Sequence, residues 1–178
     1  MKLNLGCGRD IKEGYVNIDI NSFDQKVMKA DIGKLDNFLN ESVDEIFLSH
    51  VLEHFDNKDL RPILKEWNRI LKKNGKIRII VPNVIGAVKA FLENRLVTVG
   101  FARHYKNWSP EEIVFQMLYG RADILGDDKS EYDQHRTGFC YNRLKRFLEE
   151  CGFQIIKAND ETDTDQDLEV IAEKIKNI

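Results

Sequence analysis

Apolar residues recur along this chain at two different periods, and the alternation between them predicts the architecture. Short runs with period two, or with no polar interruption, read as strands: Lys2–Leu5, Gly14–Asp19, Lys26–Asp31, Val43–Ser49, Lys76–Val81, Phe153–Lys157 and Leu168–Ile175. Within Val43–Ser49, Ile46, Phe47 and Leu48 are apolar in succession, as in a parallel strand covered on both faces. Other stretches follow the helical period. In Asp59–Lys73 the residues Leu60, Ile63, Leu64, Trp67, Ile70 and Leu71 share a face, and Asn74-Gly75 is a stop signal. Asn142–Cys151 repeats the pattern with Leu144, Phe147, Leu148 and Cys151, and Ile85–Leu96 also reads as helical. Ser109-Pro110-Glu111-Glu112 is a helix start with Ser at the N-cap, Pro at N1 and Glu at N3, and the helix runs to Tyr119 before Gly120. Lys34–Leu39 has the apolar positions, Leu35, Phe38 and Leu39, for one or two helical turns.

Strands alternating with helices predict an α/β fold: a Rossmann-like, doubly wound, mostly parallel seven-stranded sheet with right-handed crossovers. The acidic turn Asn159–Asp167 is too short for a crossover, so the last strand is expected to be antiparallel. The stretch 85–135 exceeds what a crossover needs and is expected to be a helical insertion serving as a lid or substrate-binding segment. Its aromatic residues Phe101, Tyr105, Trp108, Tyr119 and Tyr132 sit among charged ones, which suits closure over an acceptor or a homodimer surface. No repeat or linker divides residues 1–178, which read as a single domain.

Composition acts mainly by exclusion. With 42% hydrophobic residues the chain can bury a sizeable core, and a net charge of -3 argues against nucleic-acid binding by bulk electrostatics. Cys7, Cys140 and Cys151 have no paired spacing, so neither a disulfide framework nor a zinc knuckle is supported. No run approaches the ~20 apolar residues of a membrane span. A strand and a glycine loop occupy the place of a signal peptide, so a cytoplasmic protein is expected.

The candidate chemistry begins at Gly6-Cys7-Gly8, directly after the first strand. Glycines there let the backbone turn tightly and approach a ligand that a Cβ would push away. Asp19 closes the second strand and Asp31 the third, and together with the loop they outline a nucleoside site. A dinucleotide fingerprint would put its third glycine where Ile11 stands and its ribose acid ~20 residues beyond the glycines, so Asp19 lies too near for that reading.

Leu3-Asn-Leu-Gly-Cys-Gly8 resembles the first motif of class I S-adenosylmethionine-dependent methyltransferases. Gly14-Tyr-Val-Asn-Ile-Asp19 and His50-Val-Leu-Glu-His54 resemble, more narrowly, a group of small predicted methyltransferases, as do Tyr132-Asp-Gln-His135, Gly138-Phe139 and Cys151-Gly-Phe153. The resemblance implies S-adenosylmethionine as cofactor, with its methionine part against Leu5, Gly6, Cys7 and Gly8. It implies that Asp19 accepts both ribose hydroxyls beside Ile20, and that Asp31 accepts from the adenine amino group with Ile32 against the ring. Ser49, His50 and Val51 would line the meeting point of cofactor and acceptor. His50 and His135 are the candidate bases for an oxygen nucleophile. Neither Asn-Pro-Pro-Tyr nor Asp-Pro-Pro-Tyr follows the fourth strand, so the usual cradle for methylating an amide or adenine amino group is missing. The expected acceptor is a small molecule or a saccharide. The alternative is a non-catalytic cofactor-binding subunit or scaffold. Most class I members carry helices before the first strand that cover the cofactor; here the insertion or a partner subunit is expected to do so, unless the site is open.

His50-Val-Leu-Glu-His54 also has the H-x-x-E-H order of some zinc proteases, which needs both histidines on one helical face. His50 follows a strand directly and Phe55-Asp56-Asn57 breaks any helix, so no metal is expected there. Asp163–Asp167 superficially suggests calcium, but Leu168 and Lys174 stand where the loop rule wants Gly and Glu.

Overall fold

The computed structural model describes residues 1–21, 24–93, 109–120, 134–159 and 167–178. Seven strands form one sheet: β1 (Lys2–Leu5), β2 (Val16–Asp19), β3 (Val27–Lys29), β4 (Val43–Ser49), β5 (Leu71–Pro82), β6 (Phe153–Ala158) and β7 (Asp167–Lys174). Their order is β3-β2-β1-β4-β5-β7-β6. The chain winds outward from β1 in both directions, so the carboxyl end of β1 is the topological switch point, where open α/β sheets hold their ligands. β1 to β5 are parallel, whereas β7 runs antiparallel between β5 and β6. The expected mostly parallel sheet with an antiparallel carboxyl-terminal strand is therefore present. The reversal of β7 has a local consequence: its first residue, Asp167, pairs with Pro82 and lands at the carboxyl edge of the parallel strands.

The described helices are α1 (Leu60–Ile70), α2 (Val84–Leu92), α3 (Pro110–Tyr119) and α4 (Tyr141–Glu150). α1 and α4 share one core with the alternate residues Leu3, Leu5, Ile46, Leu48, Ile77, Ile79 and Val170 of the sheet. Trp67 sits fully buried at its centre, with its indole N–H donating to the Ile32 carbonyl at 2.8 Å. α1 stops at Ile70 rather than Lys73. The chain turns into β5 through Asn74, at φ 63°, and Gly75, where a Cβ would lie 2.8 Å from the Lys72 carbonyl oxygen. The end of α1 is capped from afar. Lys174 is 1% exposed, and its Nζ donates to the Asn68 and Leu71 carbonyls at 2.8 and 2.7 Å, a cation at the negative end of the helix.

Two expectations change here. Lys34–Leu39 contains one single turn, closed by Phe38 N–H to Leu35 O after a first turn at Asp31–Lys34, and Leu39 is exposed instead of packed. Phe47 is buried, but outside the main core cluster. It lies on the opposite face of the sheet, under the Lys12 ammonium at 4.3 Å and the Arg78 guanidinium at 5.4 Å. That face carries a cross-strand row of alternating charge, Lys2, Glu45, Lys76 and Glu173, with Arg78 bound to Glu169 at 2.7 Å. Apolar residues inward and charges outward are the alternation of a sheet wetted on one side.

α2 and α3 pack on each other through Ala90 and Ile113, with Phe91 and Val114, as a small cluster separate from the main core. The expected capping box forms: the Glu112 N–H donates to Ser109 Oγ at 3.2 Å and the Ser109 N–H to Glu112 Oε2 at 2.6 Å. Phe115 and Tyr119 are exposed on α3 and stack, 6.3 Å between centroids. Phe101, Tyr105, Trp108, Tyr132, the last residues of Ile85–Leu96 and most of the Asp163–Asp167 turn lie outside the described residues. Among the described residues no helix is long and apolar enough to cross a membrane.

Lys174→Met removes two charge-assisted bonds of ~1.5–3 kcal/mol each and strands two buried carbonyls. The expected result is a loss of about 3 kcal/mol in unfolding free energy, read from the denaturant midpoint. An unchanged midpoint would mean that the cap contributes nothing.

Candidate active site at the carboxyl edge of the sheet

Residues 6–15 join β1 to β2 without a helix, so their backbone donors and acceptors need other partners. Two buried asparagines supply them. Asn17 Oδ1 accepts from Asn4 Nδ2 and from the Lys12 N–H, both at 2.8 Å, while its Nδ2 donates to the Lys12 and Tyr15 carbonyls at 3.1 and 3.2 Å. Every donor and acceptor of that amide is used. Asn4 Nδ2 also donates to the Asp10 carbonyl at 2.8 Å. The G-Y-V-N-I-D stretch supplies Asp19, and its asparagine holds the loop. The signal in the sequence was a pair of polar residues placed inside otherwise apolar strands.

The loop so held presents Gly6 at φ 62° and Gly8 at φ 50°. A Cβ on Gly6 would meet Val51 Cγ2 at 2.6 Å, so the loop lies directly on the segment after β4. Above Gly8 the same construction meets nothing within 4 Å, leaving its face open to a ligand. Cys7 points inward, 5% exposed; burial, then the charge of Asp19, pushes its thiol up to about 11. Asp19 is tied from below: Oδ2 accepts the Gly8 N–H and Oδ1 the Asn21 N–H, each at 2.8 Å. Each oxygen keeps a lone pair for a ligand, which suits a vicinal diol. Ile20 beside it is 44% exposed, an apolar surface of the kind that receives a flat ring. Asp31 is exposed, with Oδ1 on the Gly33 N–H at 2.8 Å and Oδ2 free of the turn. The Ile32 side chain lies in the main core at 8% exposure and not at the surface.

The second half of the site is ionisable. Ser49 ends β4, and His50 follows it in the left-handed region at φ 55°. Its ring stands between two carboxyl groups, Nδ1 3.4 Å from Glu53 Oε1 and Nε2 3.6 Å from Asp167 Oδ2. Burial alone would lower its pKa, but the ion pairs with Asp167 and Glu53 outweigh burial and hold it up at about 10. His50 is therefore an imidazolium at neutral pH and has no lone pair with which to act as a base. A 3₁₀ turn, Leu52–His54, puts Glu53 inside at 1% exposure, with neither carboxyl oxygen in a hydrogen bond. The strip 134–139 is stitched over this turn by the Arg136 and Thr137 N–H groups, which donate to the Glu53 carbonyl at 2.7 and 3.1 Å. The strip brings His135 against His54, ring centroids 5.1 Å apart. Burial lowers the pKa of His135 despite a bond to the Met117 carbonyl, so this ring is neutral. Glu53 and Asp167, absent from the site expected from sequence, are thus central to it.

Residues 3–79 match the family described as "Methyltransferase domain". No curated protein sequence matches the chain. A SAM-dependent methyltransferase structure from Methanosarcina mazei is 20% identical with TM-score 0.63, the match covering 98% of this chain and 92% of that one. A second, from Archaeoglobus fulgidus, is 19% identical with TM-score 0.60 over 97% and 85% of the two chains. The 1,6-didemethyltoxoflavin-N1-methyltransferase of Burkholderia thailandensis, with bound 1,6-didemethyltoxoflavin and S-adenosylhomocysteine, is 15% identical with TM-score 0.60 over 98% and 71%. The family match takes in the glycine loop, β2 and β4, and the fold is that of these S-adenosylmethionine-dependent methyltransferase structures.

Asn17→Ala strips the loop of four bonds and is expected to lower stability by about 2–3 kcal/mol, measured by chemical denaturation; a change below ~0.5 kcal/mol would show that the loop holds itself. Cys7 is expected to resist iodoacetamide at pH 8 while the half-exposed Cys140 reacts. Peptide mass spectrometry showing equal rates would contradict the placement of Cys7.

Proposed function

We propose that this chain, with the methyltransferase-domain signature over residues 3–79 and the class I fold throughout, transfers the methyl group of S-adenosylmethionine to a small-molecule acceptor. The observation that carries the proposal is Asp19, fixed by two backbone N–H groups beside an open glycine loop, with one free lone pair on each oxygen. Those lone pairs take the two ribose hydroxyls. Ile20 lies along the adenine, a role that the buried Ile32 side chain leaves to it, and Asp31 Oδ2 takes the adenine amino group. Leu5, Gly6, Cys7 and Gly8 provide the backbone surface for the methionine part, backed by Val51.

Methyl transfer from a sulfonium is an in-line displacement with the leaving group already activated, so positioning and exclusion of water carry most of the catalysis. Ser49 and His50 face the acceptor from the end of β4. The His50 imidazolium donates a hydrogen bond to an acceptor oxygen, held in place by Glu53 and Asp167. The neutral ring of His135 is the group available to take the acceptor's proton. The α2–α3 pair, tied to this edge by the bridges Asn83–Phe139 and Gly120–Gln134, covers the acceptor, and its exposed Phe115 and Tyr119 suit contact with a second copy. The B. thailandensis relative holds a small heteroaromatic acceptor, which supports a small molecule over a macromolecule here.

Calorimetry is expected to show micromolar binding of S-adenosylmethionine and S-adenosylhomocysteine and none of NAD. Asp19→Ala should weaken both at least tenfold, through loss of charged-acceptor bonds worth ~1.5–3 kcal/mol each. Binding of NAD without any sulfonium ligand would overturn the reading. Binding without turnover across a panel of small acceptors would reduce the chain to a cofactor-binding subunit.

A further inference from the structure

We infer that Glu53, His54 and His135 form a site for one divalent first-row transition-metal ion of the zinc type. One ligand atom from each of the three residues lies within 4.8 Å of the others. The rings are oriented as ligands are. Nδ1 of His54 is bonded to the Gln134 carbonyl at 3.0 Å and Nδ1 of His135 to the Met117 carbonyl at 2.9 Å. A carbonyl at Nδ1 fixes the tautomer that leaves the Nε2 lone pair free, the outer-shell arrangement that ligating histidines carry. The rings meet edge to face at 67° and do not stack.

Glu53 is the independent observation. Its carboxyl group is 1% exposed, and both oxygens lack a hydrogen-bond partner among the described residues. Its contact with charge is the ion pair with the His50 ring, whose Nδ1 is 3.4 Å from Oε1, which leaves Oε2 with neither a hydrogen bond nor a close cation among the described residues. A buried carboxyl group left in this condition is costly. An ion held by Glu53 and the two imidazoles supplies the missing partner.

The sequence argued against a metal because H-x-x-E-H would have to use His50 and His54 together. The fold uses a different pair. His50, at φ 55°, is spent on Asp167 and Glu53, and the second imidazole arrives from the far side of the insertion. Its place is set by the His135 N–H on the Tyr119 carbonyl at 3.1 Å and by the neighbouring amides on the Glu53 carbonyl. Two imidazoles and one carboxylate oxygen are the donor set of catalytic zinc sites that keep a fourth position open, and without a thiolate they disfavour copper(I). The fourth position would receive an oxygen or nitrogen of a bound molecule. An ion here takes the Nε2 that His135 otherwise offers to a proton, so the metal content decides which role that ring plays. Ion binding itself does not rest on the methyl-transfer reading.

The test uses the full chain, stripped with a chelator and titrated with Zn²⁺ by calorimetry and with Co²⁺ by visible spectroscopy. The expected result is one ion per chain, with the intense visible bands of low-coordinate Co²⁺. His54→Ala, His135→Ala and Glu53→Gln should each lose at least ~100-fold in affinity, beyond the roughly 10–100-fold that removal of an outer-shell partner costs. Cys140→Ser should bind as the parent does. Circular dichroism checks that each variant folds. Because Glu53 is buried, a second measurement on the unaltered chain accompanies it: Zn²⁺ should protect His54 and His135 from diethyl pyrocarbonate. Absence of uptake of either ion, unchanged affinity in a folded His54→Ala variant, or equal modification with and without Zn²⁺ would each overturn the proposal.

Discussion

The Asn17 amide, with all four of its hydrogen-bonding positions occupied, is the constraint on which the binding half of the molecule depends. A loop of ten residues, 6–15, replaces the helix that usually follows a first Rossmann strand, and a helix would have satisfied its own backbone. Here two side chains buried in β1 and β2 do that work for the loop. Because Asn17 and Asp19 are alternate residues of one strand, they project from the same side of β2, and a single register sets both the loop and the acid it meets. Gly8 then reaches Asp19 through its own N–H, so the loop and the carboxylate position each other.

The ionisable half depends on a different constraint, strand direction. Only an antiparallel β7 delivers Asp167 to the edge at which β4 ends, and only a strip returning from α3 can lay His135 over Glu53. Three separate parts of the chain thus meet at one 3₁₀ turn. The charge is distributed unevenly among them. His50, flanked by two carboxyl groups, keeps its proton, while His135, buried beside other imidazoles, gives its proton up. Two histidines that looked equivalent in the sequence have opposite electrostatic surroundings.

What was legible in the sequence was what local periodicity encodes. The strands, the faces of α1 and α4, the Ser109 capping box and the glycine loop all follow from residues within a few positions of one another. What was not legible depends on distant partners. Nothing near Lys174 indicates that it caps α1, and nothing near His50 indicates Asp167. The resemblance implies Ile32 against the adenine, and nothing in the three residues of β3 indicates that its side chain joins the main core. The run Ile46-Phe47-Leu48 carries no sign of the two cations that lie over the Phe47 ring.

The backbone of His50 has a meaning for redesign. A non-glycine residue held at φ 55° gives up roughly 1–2 kcal/mol that glycine would keep. Random drift and stability-guided engineering therefore both push this position toward glycine or asparagine, and only the work of the ring opposes them. His50→Gly would relieve that strain but leave the buried Glu53 carboxyl group without its cation, so the backbone and the charge cluster pull the stability of this position in opposite directions. A melting temperature that stays unchanged at position 50 can thus hide two large and opposite changes.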